Sequence, residues 1–214
     1  MRRELRGRAL YRSRAVRRRR SLLAVVLLVM VALIVALVAR GGGRHPVEVT
    51  YDRAAAVRYA DRWAMSKNPA YWASADSDCA NFVSQCVLAG GLRPFDSAAG
   101  GWRPAGTEFP AVGWVNCGRQ MSLWRVAAGH TPYIVQTSAR LPAAWRKGDV
   151  VYLGNTVDGK TDWQHVVICA GKQHGQWVYD SHTTAHRHVT MDQFYPAHFS
   201  LIRYCRLADR VVYR

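Results

Sequence analysis

Apolar residues change their period along the chain, and each change marks a different kind of element. Ser21 to Ala39 runs nineteen residues without a charge, about the length a helix needs to cross ~30 Å of hydrocarbon. From Tyr51 to Met65 the residues Ala56, Tyr59, Ala60 and Trp63 recur at helical spacing behind Asp52, a residue type that caps helix starts. The spacing predicts a second helix from Cys79 to Ala89, with Phe82, Val83, Cys86 and Val87 on the face that carries Cys79. Asp76, Ser77 and Asp78 offer capping oxygens before it, and Gly90-Gly91 supplies the stop. Between Gly91 and Pro142 the periodicity is poor, with Pro94, Pro104, Pro110 and Pro132 among many glycines. One short helix is expected there, within Trp114 to Ala128, where Met121, Trp124 and Val126 allow an amphipathic face. Trp102, Trp114, Trp124 and Tyr133 either line a substrate surface or form a private core for this insert. Strand patterns follow at Lys147 to Leu153, Gln164 to Gly171 and Trp177 to His182, each separated by turn residues. Three such strands in succession make an antiparallel meander, so the pattern predicts an α+β domain.

Composition and charge add a division of the chain. Its 214 residues, 50% hydrophobic, suffice for one core and an appendage. The net charge of +16 is uneven, because Arg2 to Arg20 hold ten arginines and one glutamate. Such a tail can bind nucleic acid, but directly before an uncharged stretch it sets membrane topology, and no nucleic-acid partner is expected. The positive-inside rule then places the N-terminus in the cytoplasm and everything after residue 40 outside. The expected division is a basic cytoplasmic tail (1–20), a transmembrane helix (21–39), a glycine-rich linker (40–49) and an enzyme domain (50–214). The competing expectation is a secreted protein with a cleaved signal peptide, whose apolar core is ordinarily ~7–15 residues. Residues 41–214 carry nineteen Lys and Arg against thirteen Asp and Glu, or +6, which favours approach to anionic polymers.

Two residues carry the candidate chemistry. A helix N-terminus bears about half a positive charge, and with an imidazole nearby it can lower a thiol pKa from ~8.5 to roughly 3.5–7.5. Cys79 opens its predicted helix, and His165 opens the apolar strand run Val166 to Ala170, where a ring can face a cleft. The structural alternatives are a cysteine packed as a small hydrophobe and a partly buried histidine with satisfied nitrogens. The ordered set Asp78-Cys79-Ala80-Asn81-Phe82-Val83-Ser84-Gln85, Gly148-Asp149-Val150, His165-Val166-Val167 and Ser181-His182-Thr183 resembles the putative amidase domain family. That family is similar to the NlpC/P60 and CHAP groups of papain-like cysteine hydrolases. The likeness extends to Tyr51-Asp52-Arg53-Ala54-Ala55-Ala56 and Asn68-Pro69-Ala70-Tyr71.

The resemblance implies a papain-like fold with the cysteine helix packed on an antiparallel sheet. It makes Cys79 the nucleophile and His165 the base that takes the thiol proton and then protonates the leaving amine. It favours His182 as the residue that orients His165, with Asp180, two residues away on the same strand face, as the alternative. An acidic residue expected shortly after the His-Thr pair is missing, since the chain runs Thr183-Thr184-Ala185-His186-Arg187-His188. Asp78, Tyr71 and Trp163 are the candidate substrate contacts, with packing as the alternative for Tyr71. Among the five cysteines, Cys86 and Cys169 are expected side by side, about 10 Å down the helix and about 13 Å down the strand from Cys79 and His165. His182, His186 and His188 invite a zinc reading, but no carboxylate or cysteine at ligand spacing completes the set, so no metal and no cofactor are expected. The expected activity is that of a membrane-anchored, extracytoplasmic cysteine amidase or peptidase. It would cleave cell-wall peptide (peptidoglycan) through a Cys79 thioester. The alternatives are an acyltransferase or transpeptidase on the same residues and a non-catalytic wall-binding protein.

Overall fold

The structure is a computed structural model that describes residues 25–34, 45–105 and 109–214. The chain forms two units, residues 1–45 and 46–214. In the first, residues 25–34 form helix α1 with every side chain exposed. The rest of the expected span 21–39, the tail 1–20 and residues 40–44 of the linker lie outside the described residues. Among the described residues, no helix is long and apolar enough to cross a membrane.

The second unit is α+β. A six-stranded antiparallel sheet has the order β4-β9-β5-β6-β7-β8, formed by Ile134–Ser138 (β4), Leu201–Leu207 (β9), Val150–Val157 (β5), Lys160–Gln173 (β6), Gln176–Ser181 (β7) and His186–Thr190 (β8). The expected meander is its β5-β6-β7 half. Two short ladders join it, β1 (Val47–Thr50) with β10 (Arg210–Tyr213) and β2 (Phe95–Ser97) with β3 (Gly100–Trp102). The stretch assigned to the linker thus ends in a strand. Its partner is the far C-terminus, which a local pattern of four residues does not reveal.

Helix α2 (Arg53–Trp63) starts at Asp52, whose side chain accepts the Ala55 N–H at 2.9 Å. Helix α3 (Cys79–Ala89) has the expected ends, and Gly91 turns the chain away from it at φ +95°. Every residue from Cys79 to Val87 is buried. Helix α3 therefore shows more than one apolar stripe: β6 covers one side, and α2, α4 (Val112–Val115) and α5 (Cys117–Trp124) cover the other. Gln120 fixes α5 in place, donating to the Ala80 carbonyl at 2.9 Å and accepting from the Tyr152 hydroxyl at 2.8 Å.

The sheet divides the core in two. Val150, Tyr152, Val166 and Ile168 face the helices and pack with Phe82, Val83, Cys86 and Val87. Val151, Leu153, Val167 and Cys169 face the other way, toward Trp145, Tyr179 and Phe194. Strand alternation therefore separates Cys86 from Cys169 by the thickness of the sheet, and the expected pair does not form. All five cysteines are free. In the insert, Trp102, Trp114, Trp124 and Tyr133 are buried, with Trp102 within 5.0 Å, 5.4 Å and 5.6 Å of the other three ring centroids. They form neither a substrate surface nor a separate core: they pack into the helix-side core with Phe82, Val83 and Cys86.

The Gly148-Asp149 motif is also structural. Asp149 is fully buried, and its Oδ1 accepts from Arg53 Nη1 at 2.7 Å and from the Leu207 N–H at 2.9 Å. Its Oδ2 accepts from the Arg146 N–H at 3.0 Å. Arg53 Nη2 also donates to the Leu207 carbonyl at 2.6 Å, so one ion pair ties α2 to the ends of β5 and β9.

Candidate active site

Two helices begin with a cysteine, and the two starts converge. Cys79 is the first residue of α3 and Cys117 the first of α5, where Asn116 caps by accepting the Arg119 N–H at 2.9 Å. The two Sγ atoms are 3.6 Å apart, in hydrogen-bond contact. The positive ends of two helix dipoles therefore meet at one thiol pair.

This environment splits the two thiols. Cys79 is held well below the ordinary thiol range, first by its hydrogen bond with Cys117, then by the neighbouring His165 imidazole and the Val166 backbone, against the opposing effect of burial. Cys117 is pushed up by the same pairing and by burial. These opposite directions make Cys117 the donor and Cys79 the acceptor of the pair, with both sulfurs buried. Cys79 is 1% exposed and His165 7%.

His165 sits on β6 with its ring stacked parallel on Phe199 at 5.8 Å and tilted against Phe194 at 5.6 Å. It lines a cleft of 290 Å³ with Thr183, Thr184, His186, Phe194 and Phe199. The cleft opens on the imidazole.

The other expected residues lie elsewhere. His182 Nδ1 is 2.8 Å from Asp78 Oδ2, and Nε2 is 2.8 Å from the Trp63 carbonyl. Both ring nitrogens are thus taken up by oxygens of other residues. His182 is therefore not free to orient His165; stacked on Phe82 at 4.1 Å, it anchors the start of α3. Asp180, the alternative, accepts the His188 N–H at 2.7 Å and lies beside Asp61 and His188 rather than His165. Burial pushes its carboxyl up to about 6.

Asp78 is buried within the same network. It accepts from the Ser74 N–H at 3.1 Å and from Asn81 Nδ2 at 2.8 Å, and its own N–H donates to Thr183 Oγ1 at 3.1 Å. It makes no side-chain cap to α3, because its oxygens are committed to these partners. It lines a 90 Å³ pocket with His182 and Thr183, and Thr183 also borders the imidazole cleft. Tyr71 is half-buried and stacks on Trp114 at 6.2 Å. Trp163 lines a different groove of 300 Å³ with Met121, Arg125 and Arg203. None of these three borders the His165 cleft.

Cys117, Phe194 and Phe199 were not legible as site residues. For Cys117 a signal existed: Asn116-Cys117 repeats the order of a capping residue type followed by a cysteine seen at Asp78-Cys79.

Fold and site together define an α+β domain with a helix-opening thiol beside a strand imidazole. The chain belongs to the putative amidase domain family, whose model matches residues 50–202, as the ordered motif set implied. An amidase acts hydrolytically on C–N bonds, and that is the coarse chemistry family membership gives this domain. The chain is 31% identical over 134 residues to the uncharacterized protein YhbB of Bacillus subtilis (strain 168), a match covering 58% of this chain and 39% of that protein. The chain thus matches well under half the length of this relative. No solved structure matches it.

Proposed function

We propose that the domain is a papain-like cysteine amidase with Cys79 as nucleophile and His165 as acid and base. The observation that carries this reading is the Cys79 thiol, held well below the ordinary range at a helix start by Cys117 and His165. The thiolate attacks the amide carbon, and the carbonyl pair moves onto oxygen beside the Cys79 N–H. His165 gives its proton to the nitrogen as the C–N bond breaks, leaving a thioester and a free amine. It then takes a proton from water, which adds to the thioester and releases the acid and the thiolate. Substrate enters along the cleft that ends on His165.

The proposed substrate is cell-wall peptide, met outside the cytoplasm by a domain tethered through residues 21–39. The support is in the sequence: nineteen uncharged residues behind ten arginines, and a domain with six more positive than negative charges. The test is site-resolved iodoacetamide labelling of the full chain across pH, with His165→Ala alongside, followed by digestion of wall-derived peptides. Cys79 should label well before the other four cysteines at pH 6 and slow in the variant. If it labels no faster than an ordinary thiol, the cysteine mechanism is wrong. Product analysis with added amines separates hydrolysis from acyl transfer.

A further inference from the structure

The histidines weighed for metal in the sequence do not form a set, but a different group does. Asp61 in the last turn of α2, Asp180 on β7 and His188 on β8 each present one ligand atom, and the three atoms lie within 4.8 Å of one another. Asp180 is wholly buried. Its Oδ1 accepts the His188 N–H at 2.7 Å, while its Oδ2 has no hydrogen-bond partner. A buried carboxylate oxygen without a donor is costly, and native proteins rarely leave one so. Asp61, 33% exposed, brings a second carboxylate whose Oδ1 is 2.5 Å from His188 Nε2. Two acids and one imidazole in a half-covered notch leave negative charge and one idle oxygen.

We propose that Asp61, Asp180 and His188 bind a divalent cation of the zinc class, with water in the fourth position. The donor set selects the ion. Calcium takes six to eight oxygens, more than two carboxylates supply beside a nitrogen, whereas imidazole with carboxylates suits zinc. Bonds of about 2.0–2.2 Å put tetrahedral donors roughly 3.3 Å apart. The Asp61–His188 contact would open by about 0.8 Å and the widest pair would close by at most about 1.5 Å, steps that side-chain torsions can supply.

The bare nitrogen must be Nε2, so Nδ1 must carry the proton. Nδ1 is 2.8 Å from the Gln173 amide. Turning that amide lets its oxygen accept from Nδ1–H and fixes the metal-binding tautomer. The ion would clip α2 to the sheet edge. Two residues further along each segment, the Trp63 carbonyl already meets His182 Nε2. The clip and that bond are adjacent ties between the same two segments, just behind the start of α3.

The test uses the full chain in mild detergent and reductant, stripped with a chelator. Zinc titrated by calorimetry should bind at one equivalent and raise the melting temperature. Asp61→Ala and His188→Ala should each weaken binding roughly tenfold or more. Cobalt(II) should give visible d–d bands without sulfur-to-cobalt charge transfer. The proposal is overturned if the wild type binds no zinc, which would leave the two carboxyls sharing a proton. It is equally overturned if both variants bind as the wild type does, or if cobalt shows sulfur bands that place the metal on Cys79 and Cys117.

Discussion

Replacing Cys117 by alanine removes the largest favourable influence on the proposed nucleophile without touching Cys79 or His165. The bond lost is S–H to S⁻ at 3.6 Å between two buried atoms, so water does not replace it. Hydrogen bonds to charged groups contribute about 1.5–3 kcal/mol, and a thiol is a weak donor, which points to the low end. About 1.5 kcal/mol corresponds to roughly a tenfold smaller thiolate fraction wherever Cys79 is only partly ionised. The sign follows from the direction of the shift. Cys79 is depressed, so labelling by iodoacetamide runs at its plateau above the depressed pKa and falls as pH drops through it. In Cys117→Ala the fall should begin at higher pH, slowing labelling about tenfold at the acid end and leaving the alkaline plateau in place. Cys117→Ser keeps a donor and should recover most of the loss, a pattern a mere packing defect would not give. An alanine profile that overlays the wild type refutes the argument that Cys117 holds the thiolate.

Three further outcomes follow from the geometry. Asp149→Ala strips the Arg53 guanidinium of its buried carboxylate and leaves it only the exposed Asp209 carboxylate at 3.1 Å; breaking a buried pair from one side costs about 3–5 kcal/mol, so urea unfolding should show a loss toward the low end of that range, and a change within 0.5 kcal/mol would contradict the buried-pair reading. His182→Ala leaves the Asp78 carboxylate without its imidazole, which should lower stability by about 1–3 kcal/mol while the inflection of Cys79 labelling stays put; an inflection that moves as it does in His165→Ala would restore His182 as the orienting residue. Hydrogen peroxide should consume the Cys79 and Cys117 thiols together: the thiolate displaces hydroxide from peroxide to give a sulfenic acid, Cys117 then displaces water to give a disulfide, and dithiothreitol returns both. Mass mapping that finds either one bridged to Cys86, Cys169 or Cys205 would count against the 3.6 Å pairing.

The sequence spoke clearly where structure is local and faintly where it is not. Helix α3 was legible to its last residue because its cap region, its apolar run and its Gly90-Gly91 stop are contiguous. The β5-β6-β7 meander was legible because its strands are joined by short turns. Strand β9 was not, although it lies beside β5, because its partner is about fifty residues earlier in the chain. The same holds for β1, paired with β10 across the whole domain. The Cys86–Cys169 expectation failed on parity. Counting distance along a strand gave the right depth and the wrong face, since Val166 and Ile168, not Val167 and Cys169, look toward α3.

The site repeats this division. The candidates Cys79 and His165 could be picked from their positions in single elements, one opening a helix and one opening the apolar run within a strand. What acts on Cys79 comes from a third element whose position depends on Gln120, a fully buried side chain that bonds to both the α3 backbone and Tyr152. Without that lock nothing in the segment near Cys117 says that it faces another thiol. His182 shows the converse error. Its spacing in the chain matched an orienting role, but an imidazole has only two nitrogens, and Asp78 and the Trp63 carbonyl occupy both. A motif histidine can therefore be fixed by the architecture of the helix start rather than by the proton transfer. For this chain the pH profile of Cys79 labelling in His182→Ala and Cys117→Ala assigns the two roles.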